Sequence, residues 1–357
     1  MKFERLYYRV ISLQRKFYHF PIYLILKLFS IFYFWGHCFR MWAYRWDLFP
    51  SHKLDCRVIS VGNLTLGGTG KTPVVMMIAE TLRGNGHKPG ILSRGYGGNS
   101  QDEVNVVCDG KHILLSHEVA GDEAVMMAQR LKNVPVLVGS DRYQVGRYAI
   151  EHFGVDTLIL DDGFQHLALK RDMNILLFDH QRPFGNGQLF PAGELREPKK
   201  EARRADFVCI TRFGGASYPP GINEHLIKDL PIVKSTLRLD SLLKFDNGEI
   251  LDKKELHNQP VAAFSGIANP DDFRKILEQT GAQLVYYHPF PDHHEYTLSD
   301  LKSIEDSARK AGAKLILTTE KDGVKLKPNS LILPFYKVAL EMEILEGRET
   351  FNQRVLN

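Results

Sequence analysis

Cysteine is scarce in this chain: Cys38, Cys56, Cys108 and Cys209 are the four it has in 357 residues, widely separated and without a Cys-x-x-Cys spacing. That excludes a disulfide framework and a cysteine-built zinc site, and it suits a reducing compartment. Charge of one sign is also in short supply, since the formal balance is +4 at pH 7. So small an excess does not mark a nucleic-acid binder, and no nucleic acid is expected as a partner; it is compatible with an anionic ligand or an anionic membrane surface. Internal repeats and low-complexity segments are missing too, and an apolar fraction of 44% is ordinary for a folded globular protein. No obligate protein partner is evident.

The one long apolar run, Phe20 to Gly36, is interrupted by Lys27. It is shorter than the roughly 20 residues a spanning helix needs. No small-residue cleavage site follows it, which argues against a signal peptide. Arg9, Arg15 and Lys16 precede the run, Arg40 and Arg45 follow it, and Trp35, Trp42 and Trp46 suit the headgroup zone. Residues 1–50 therefore read as a segment lying in a membrane interface. A helix buried in a soluble core is the alternative.

What organises the rest is the stretch Val58 to Pro73. It reads as a buried strand, a glycine-rich turn and a helix start. A phosphate cradle needs glycines that tolerate unusual dihedrals, a lysine for the outer phosphates and a hydroxyl for Mg²⁺. Gly67, Gly68, Thr69, Gly70, Lys71 and Thr72 supply these parts, although Thr65 stands where the pattern's first glycine belongs. Pro73 falls in the first helical turn, where its missing N–H costs little.

From residue 56 onward short apolar strands alternate with amphipathic helices, the pattern of an α/β fold with a parallel sheet flanked by helices. Near Thr236 the rhythm breaks. Leu237–Phe245, the turn Asn247-Gly248 and Glu249–Leu251 read as a hairpin, after which a second α/β series follows. The expected organisation is an N-terminal segment at 1–50, a P-loop nucleotide-binding domain at 51–235, and the hairpin with a smaller α/β domain at 236–357.

Thr157 to Asp162 is an apolar strand ending in two carboxylates, and such a strand end faces the same crevice as a phosphate loop. Neighbouring residues on a strand point to opposite faces, so Asp161 and Asp162 should differ in role unless the strand has already ended. Asp-Asp-Gly also occurs as an ordinary turn. Asp122 opens a helix and could be simply its N-cap. His293 lies in the loop Phe290 to Tyr296, where an Asp–His pair could orient or deprotonate an alcohol, or be ordinary surface. Arg94, Arg142 and Arg196 are candidate phosphate ligands or solvated surface.

Taken together, Gly62-Asn63 with Gly67 to Pro73, Ser93 to Gly97, Gly121 to Glu123, Asp161 to His166, Pro191 to Gly193, Leu195 to Pro198, Asp292-His293 and Thr319 to Asp322 resemble the tetraacyldisaccharide 4'-kinase family of lipid A biosynthesis. The resemblance covers nearly the whole chain. It implies transfer of the ATP γ-phosphate to the 4'-hydroxyl of a lipid-linked glucosamine disaccharide at the cytoplasmic face of the bacterial inner membrane, by a peripheral or monotopic enzyme. It further implies that Lys71 and Thr72 hold phosphates and Mg²⁺, and that Asp161, Asp162 and Glu197 serve the metal or its waters. Arg142 and Arg196 would steady phosphates. Asp122 would be the base, with His293 its partner across a domain crevice, and Glu197 is favoured over Glu194 for the acidic role. The alternative is a membrane-associated switch ATPase; such proteins often carry an extra lysine where this chain has Leu66. A guanine reader is disfavoured because Lys321 and Asp322 have no residue between them.

Overall fold

The computed structural model describes residues 2–12, 15–100, 102–215, 227, 230–245, 247–326 and 332–357. The chain divides into two compact units, one of Met1–Arg94, Gly139–Thr236 and Ile344–Asn357, the other of Gly95–Val138 and Leu237–Glu343.

The first unit is built on parallel strands in the order Ile232–Lys244 (by its first residues), Phe207–Thr211, Met173–Asp179, Arg57–Asn63, Thr157–Asp161 and Pro89–Ser93. These strands are almost continuously Val, Ile and Leu because both faces are buried: Ile59, Leu158, Ile159, Ile175 and Val208 are all solvent-free. Pairing of Val61 with Asp161 brings the carboxyl ends of two central strands side by side. Functional loops therefore leave the sheet from neighbouring points.

The N-terminal helix Phe20–Arg45 is longer than the apolar run suggests. Phe17–Arg45, whose most apolar 18-residue stretch has a mean hydropathy of 1.5, is long and apolar enough to cross a membrane, which removes the length argument for an interfacial position. Its two sides differ, however. One stripe is polar and docked: Ser30 Oγ donates to Leu189 O at 2.9 Å and accepts from Ala192 N at 2.9 Å, Tyr33 donates to Arg196 O at 2.7 Å, and Arg40 donates to Gln165 O at 2.6 Å. Burial there lifts the Tyr33 phenol above its ordinary pKa, with Glu197 adding to the effect. The other side leaves Ile25, Leu28, Phe29, Phe32, Trp35 and Phe39 exposed.

The second unit has its own parallel strands, ordered Gln283–Pro289, Pro260–Ser265, Leu315–Thr319 and Phe335–Glu346. Phe273, Ile276 and Leu277 pack on Val261, Ala263 and Leu317, while Leu301, Ile304 and Ala308 pack with Phe264 and Ile316. Helices cover both faces. The hairpin forms between Ser241–Leu243 and Ile250–Asp252, with Gly248 at φ 70° supplying the turn.

Two parts of the expected domain division differ. Residues 95–138, expected in the nucleotide-binding domain, group with the second unit, within which Arg130 reaches Asp240 at 2.6 Å and Glu320 at 3.3 Å. The C-terminal residues, expected in the smaller domain, group with the first unit; Arg57 Nη2 donates to Arg354 O at 2.7 Å. Side-chain ties between distant segments leave no trace in strand and helix periodicity.

Candidate active site

In the first unit the glycine-rich turn leaves the strand Arg57–Asn63 and enters a helix that starts at Lys71. Gly67 and Gly70 have φ of 99° and 80°, a region closed to most side chains. The loop is held by its carbonyls: Thr211 Oγ1 donates to Thr69 O and Arg212 Nη2 to Gly68 O, both at 2.8 Å. Those are the groups an anion must not meet. Lys71 Nζ lies 3.3 Å from Asn63 Oδ1 and 3.5 Å from Asp162 Oδ1. Thr65, in the place of the missing glycine, accepts from Asn63 Nδ2 at 3.3 Å and so helps fix the residue that holds the lysine.

The strand Thr157–Asp161 ends at the first acid, and Asp162 already has φ 53°. The strand's alternation has therefore stopped, and the two carboxylates are not obliged to face apart. Asp161 Oδ2 accepts from Ser93 Oγ at 3.2 Å. Asp162 is held by Arg196 Nη1 at 2.8 and 2.9 Å. Burial works against the Asp162 charge, but Lys71 and Arg196 outweigh it and keep its pKa below the ordinary carboxylate value. Arg142 is buried, donates to Gly139 O, and is pushed down to about 10 by desolvation, with Asp161 and Asp162 opposing the fall. Arg94 is exposed.

Glu197 stands apart from this group in its contacts. It pairs with Arg204, faces His37 Nδ1 at 3.8 Å, and accepts from Gln165 Nε2 at 3.2 Å; Gln165 Nε2 also donates to Asn63 O at 2.9 Å. Glu197 thus meets the loop strand through Gln165. Glu194 is used inside its own loop, accepting from Arg182 and from Asn186 N at 3.0 Å.

Thr72, Asp161 and Asp162 are hard oxygen donors at the foot of an anion-binding turn, which suits Mg²⁺ bound chiefly by phosphates and water. No group of three or more His, Cys, Asp or Glu side chains among the described residues is placed to hold a metal alone. Nothing lies within 4 Å of where a Cβ would stand on Gly67, so that side of the turn is open.

A second constellation forms wholly within the other unit. Gly121, at φ 86°, is the N-cap of the helix Asp122–Arg130, so Asp122 is its first residue and not its cap. Asp122 is buried; its Oδ1 accepts from Glu123 N at 2.9 Å, and its Oδ2 lies 2.9 Å from His293 Nδ1. Burial disfavours the Asp122 charge, yet His293, Lys321 and Lys325 together hold its pKa below the ordinary value. His293 is raised above its ordinary value by Asp122, against burial and Lys321. Tyr96 places its ring 5.6 Å from the His293 ring. His293 itself has φ 58°, an uncommon conformation for a residue with a side chain.

The structure thus brings Lys71, Asp162 and Arg196 into direct contact and sets Arg142 and Asp161 beside them, and it pairs Asp122 with His293. Sequence reasoning quoted Asn63 and Lys321 within motifs without giving either a role, and missed Thr211 and Arg212 around the loop. Arg212 follows an apolar strand directly, a position like that of Asp162, and that signal could have been used.

A parallel α/β sheet, a glycine loop opening a helix, and carboxylates ending the adjacent strand define a P-loop nucleoside-triphosphate-binding protein. Comparison with known proteins narrows this. The family model for tetraacyldisaccharide-1-P 4'-kinase matches residues 22–357. The tetraacyldisaccharide 4'-kinase of Syntrophus aciditrophicus is 45% identical over 94% of this chain and 93% of its own length. That of Geobacter sulfurreducens is 41% identical over 86% and 85% respectively. A crystal structure of LpxK from Aquifex aeolicus in complex with ATP superposes with a TM-score of 0.76 at 33% identity, covering 94% of this chain and all of that one. The chain belongs to the tetraacyldisaccharide 4'-kinase family.

Proposed function

We infer that this chain transfers the γ-phosphate of ATP to the 4'-hydroxyl of a tetraacylated glucosamine disaccharide 1-phosphate. The observation that carries the reading, beyond family membership, is the buried Asp122 with His293 Nδ1 at 2.9 Å, an acid–base pair of the kind alcohol phosphorylation needs. Gly67, Gly68, Thr69, Gly70 and Lys71 bind the triphosphate. Thr72, Asp161 and Asp162 would hold Mg²⁺, with Glu197 acting on its waters; the ion supplies charge neutralisation to the transferring phosphoryl group. Arg142 and Arg196 steady phosphate oxygens, and Arg196 must loosen its hold on Asp162 to do so. Asp122 takes the hydroxyl proton as the sugar oxygen bonds to the γ-phosphorus. The bond to the bridging oxygen breaks, and ADP leaves with the electron pair.

The site of action fits a greasy acceptor. The exposed apolar side of Phe20–Arg45, against a docked polar stripe, supports a helix lying in the membrane interface; the face we assign it is the cytoplasmic one of the inner membrane, where ATP is available. Incubation with γ-labelled ATP, Mg²⁺ and the lipid disaccharide tests the reading. Label should appear on the 4'-position of the lipid, while hydrolysis at full rate without acceptor would instead indicate a switch ATPase.

A further inference from the structure

The turn Thr319 to Asp322 ends the strand Leu315–Thr319 and opens the one-turn helix Glu320–Gly323. Asp322 is fully buried there. A carboxylate in such a place is costly unless its oxygens are hydrogen-bonded, so what it holds is informative. Asp322 Oδ2 accepts from Thr319 Oγ1 at 2.7 Å and from Gly266 N at 2.9 Å. Gly266 O in turn accepts from His293 N at 3.1 Å, and Ser265 O from Phe290 N at 2.8 Å. Lys325, 3.6 Å from Asp322 Oδ1, donates to His294 O at 2.8 Å. The segment Phe290 to His294 thus hangs by its main chain from two points, and Asp322 reaches both. We propose that Asp322 is a positioning residue: it pins Gly266 and Lys325, and through them holds the backbone of His293 where the ring stays 2.9 Å from Asp122. This rests on the reading of Asp122 and His293 as the pair that readies the acceptor hydroxyl, and it gives a part to a motif that the reading leaves idle.

His293 needs such a hold. At φ 58° it sits in a left-handed conformation that a side chain disfavours, and strain of this kind persists only where the surroundings fix it. Gly266 shows how close the packing is. A Cβ there would stand 2.8 Å from Tyr296 Oη and 3.0 Å from both Asp322 Oδ1 and Pro291 O, so only a glycine lets the two backbones meet. Burial and the Asp322 charge push the Tyr296 phenol up, which keeps its proton in place beside the carboxylate. Lys321, next to Asp322, lies 3.3 Å from His293 Nε2, so one turn reaches the histidine by ring and by main chain. All of these residues belong to the second unit, whereas the phosphate turn belongs to the first. The consequence is a separation of effects: loosening Asp322 should disturb phosphoryl transfer and spare nucleotide binding. Misplacing a reacting group by about 1 Å is enough to cost roughly 100-fold in rate.

The test is a double-mutant cycle in the full-length enzyme, assayed with γ-labelled ATP, Mg²⁺ and the lipid disaccharide. Asp322→Ala should lower kcat about 10- to 100-fold, with affinity for an ATP analogue within about twofold of wild type. Asp322→Asn, which keeps an oxygen for Gly266 N, should recover most of the loss. In a His293→Ala background the Asp322→Ala change should cost less than about twofold more, because the residue it positions is already gone. A merely stabilising role would give the same fractional loss in both backgrounds, and equal losses would overturn the proposal. So would a change confined to ATP affinity. Gly266→Ala presses on the same joint without removing a charge and keeps the test decisive should Asp322→Ala fail to fold. Its loss of kcat should vanish in the His293→Ala background, and a loss that persists there would sink the idea. Full transfer by His293→Ala would instead overturn the reading of the pair itself.

Discussion

The two constellations are made of different material. In the first unit the anion site is largely main chain: a turn whose glycines at φ 99° and 80° shape it, whose carbonyls are tied back by Thr211 and Arg212, and to which a few side chains are added. In the second unit the site is side chains alone, Asp122, His293 and Lys321, drawn from segments up to 199 residues apart by their numbers. A main-chain site needs consecutive residues and so leaves a contiguous signature. A side-chain site needs only that three folded segments end near one another.

That contrast can be broken by substitution. The largest effect should come from Asp122→Asn, which keeps the shape but removes the proton acceptor: kcat should fall about 10²–10⁴-fold, with nucleotide affinity, measured by titration of an ATP analogue, nearly unchanged. Equal losses in binding and turnover would mean that Asp122 is no base. Lys71→Met should do the reverse to binding. Losing a charged contact of about 1.5–3 kcal/mol should weaken ATP by roughly 10- to 150-fold in the same titration.

Legibility followed the same division. The strand ends, the phosphate-loop helix and the acids at Asp161 and Asp162 were readable because apolar alternation and glycine spacing are local. The left-handed turn at Asp162, which lifts the restriction on which way the two acids face, was foreseen only as a condition, since strand periodicity does not say at which residue the strand ends. Grouping of residues 95–138 with the second unit was not readable, because Arg130, Asp240 and Glu320 are ordinary charges until folding brings them together. Asp122 and His293 stood out through family resemblance, whereas Lys321 was noticed as part of a motif without a role.

Two further effects sharpen the comparison. Phe32→Ser with Trp35→Ser on the exposed helix side should reduce binding to anionic vesicles by about a hundredfold or more, given about 1.5–3 kcal/mol for each large apolar side chain buried, while kcat on detergent-dispersed acceptor holds. Unchanged sedimentation would remove the interfacial reading. The smallest is electrostatic. The folded Asp162 pKa lies below its ordinary value, so its ion pairs stabilise the protein above about pH 3.9, and that contribution is lost as pH falls through the folded value. Arg196→Met should cost less than about 1 kcal/mol by urea unfolding at pH 7, because the pair is partly solvated. The difference from wild type should vanish in strong acid; a gap that persists there would point to packing and not charge.

The greasy helix at the front of the chain also carries a practical lesson. Ser30, Tyr33 and Arg40 complete the hydrogen bonding of Leu189, Ala192, Arg196 and Gln165, and Arg196 in turn grips Asp162. Cutting the chain at residue 45 to obtain a more tractable enzyme would strip partners from the very segment that steadies the nucleotide acids. Recoating the outward side with polar residues, and leaving the inward stripe alone, is the route to a water-loving version that still turns over.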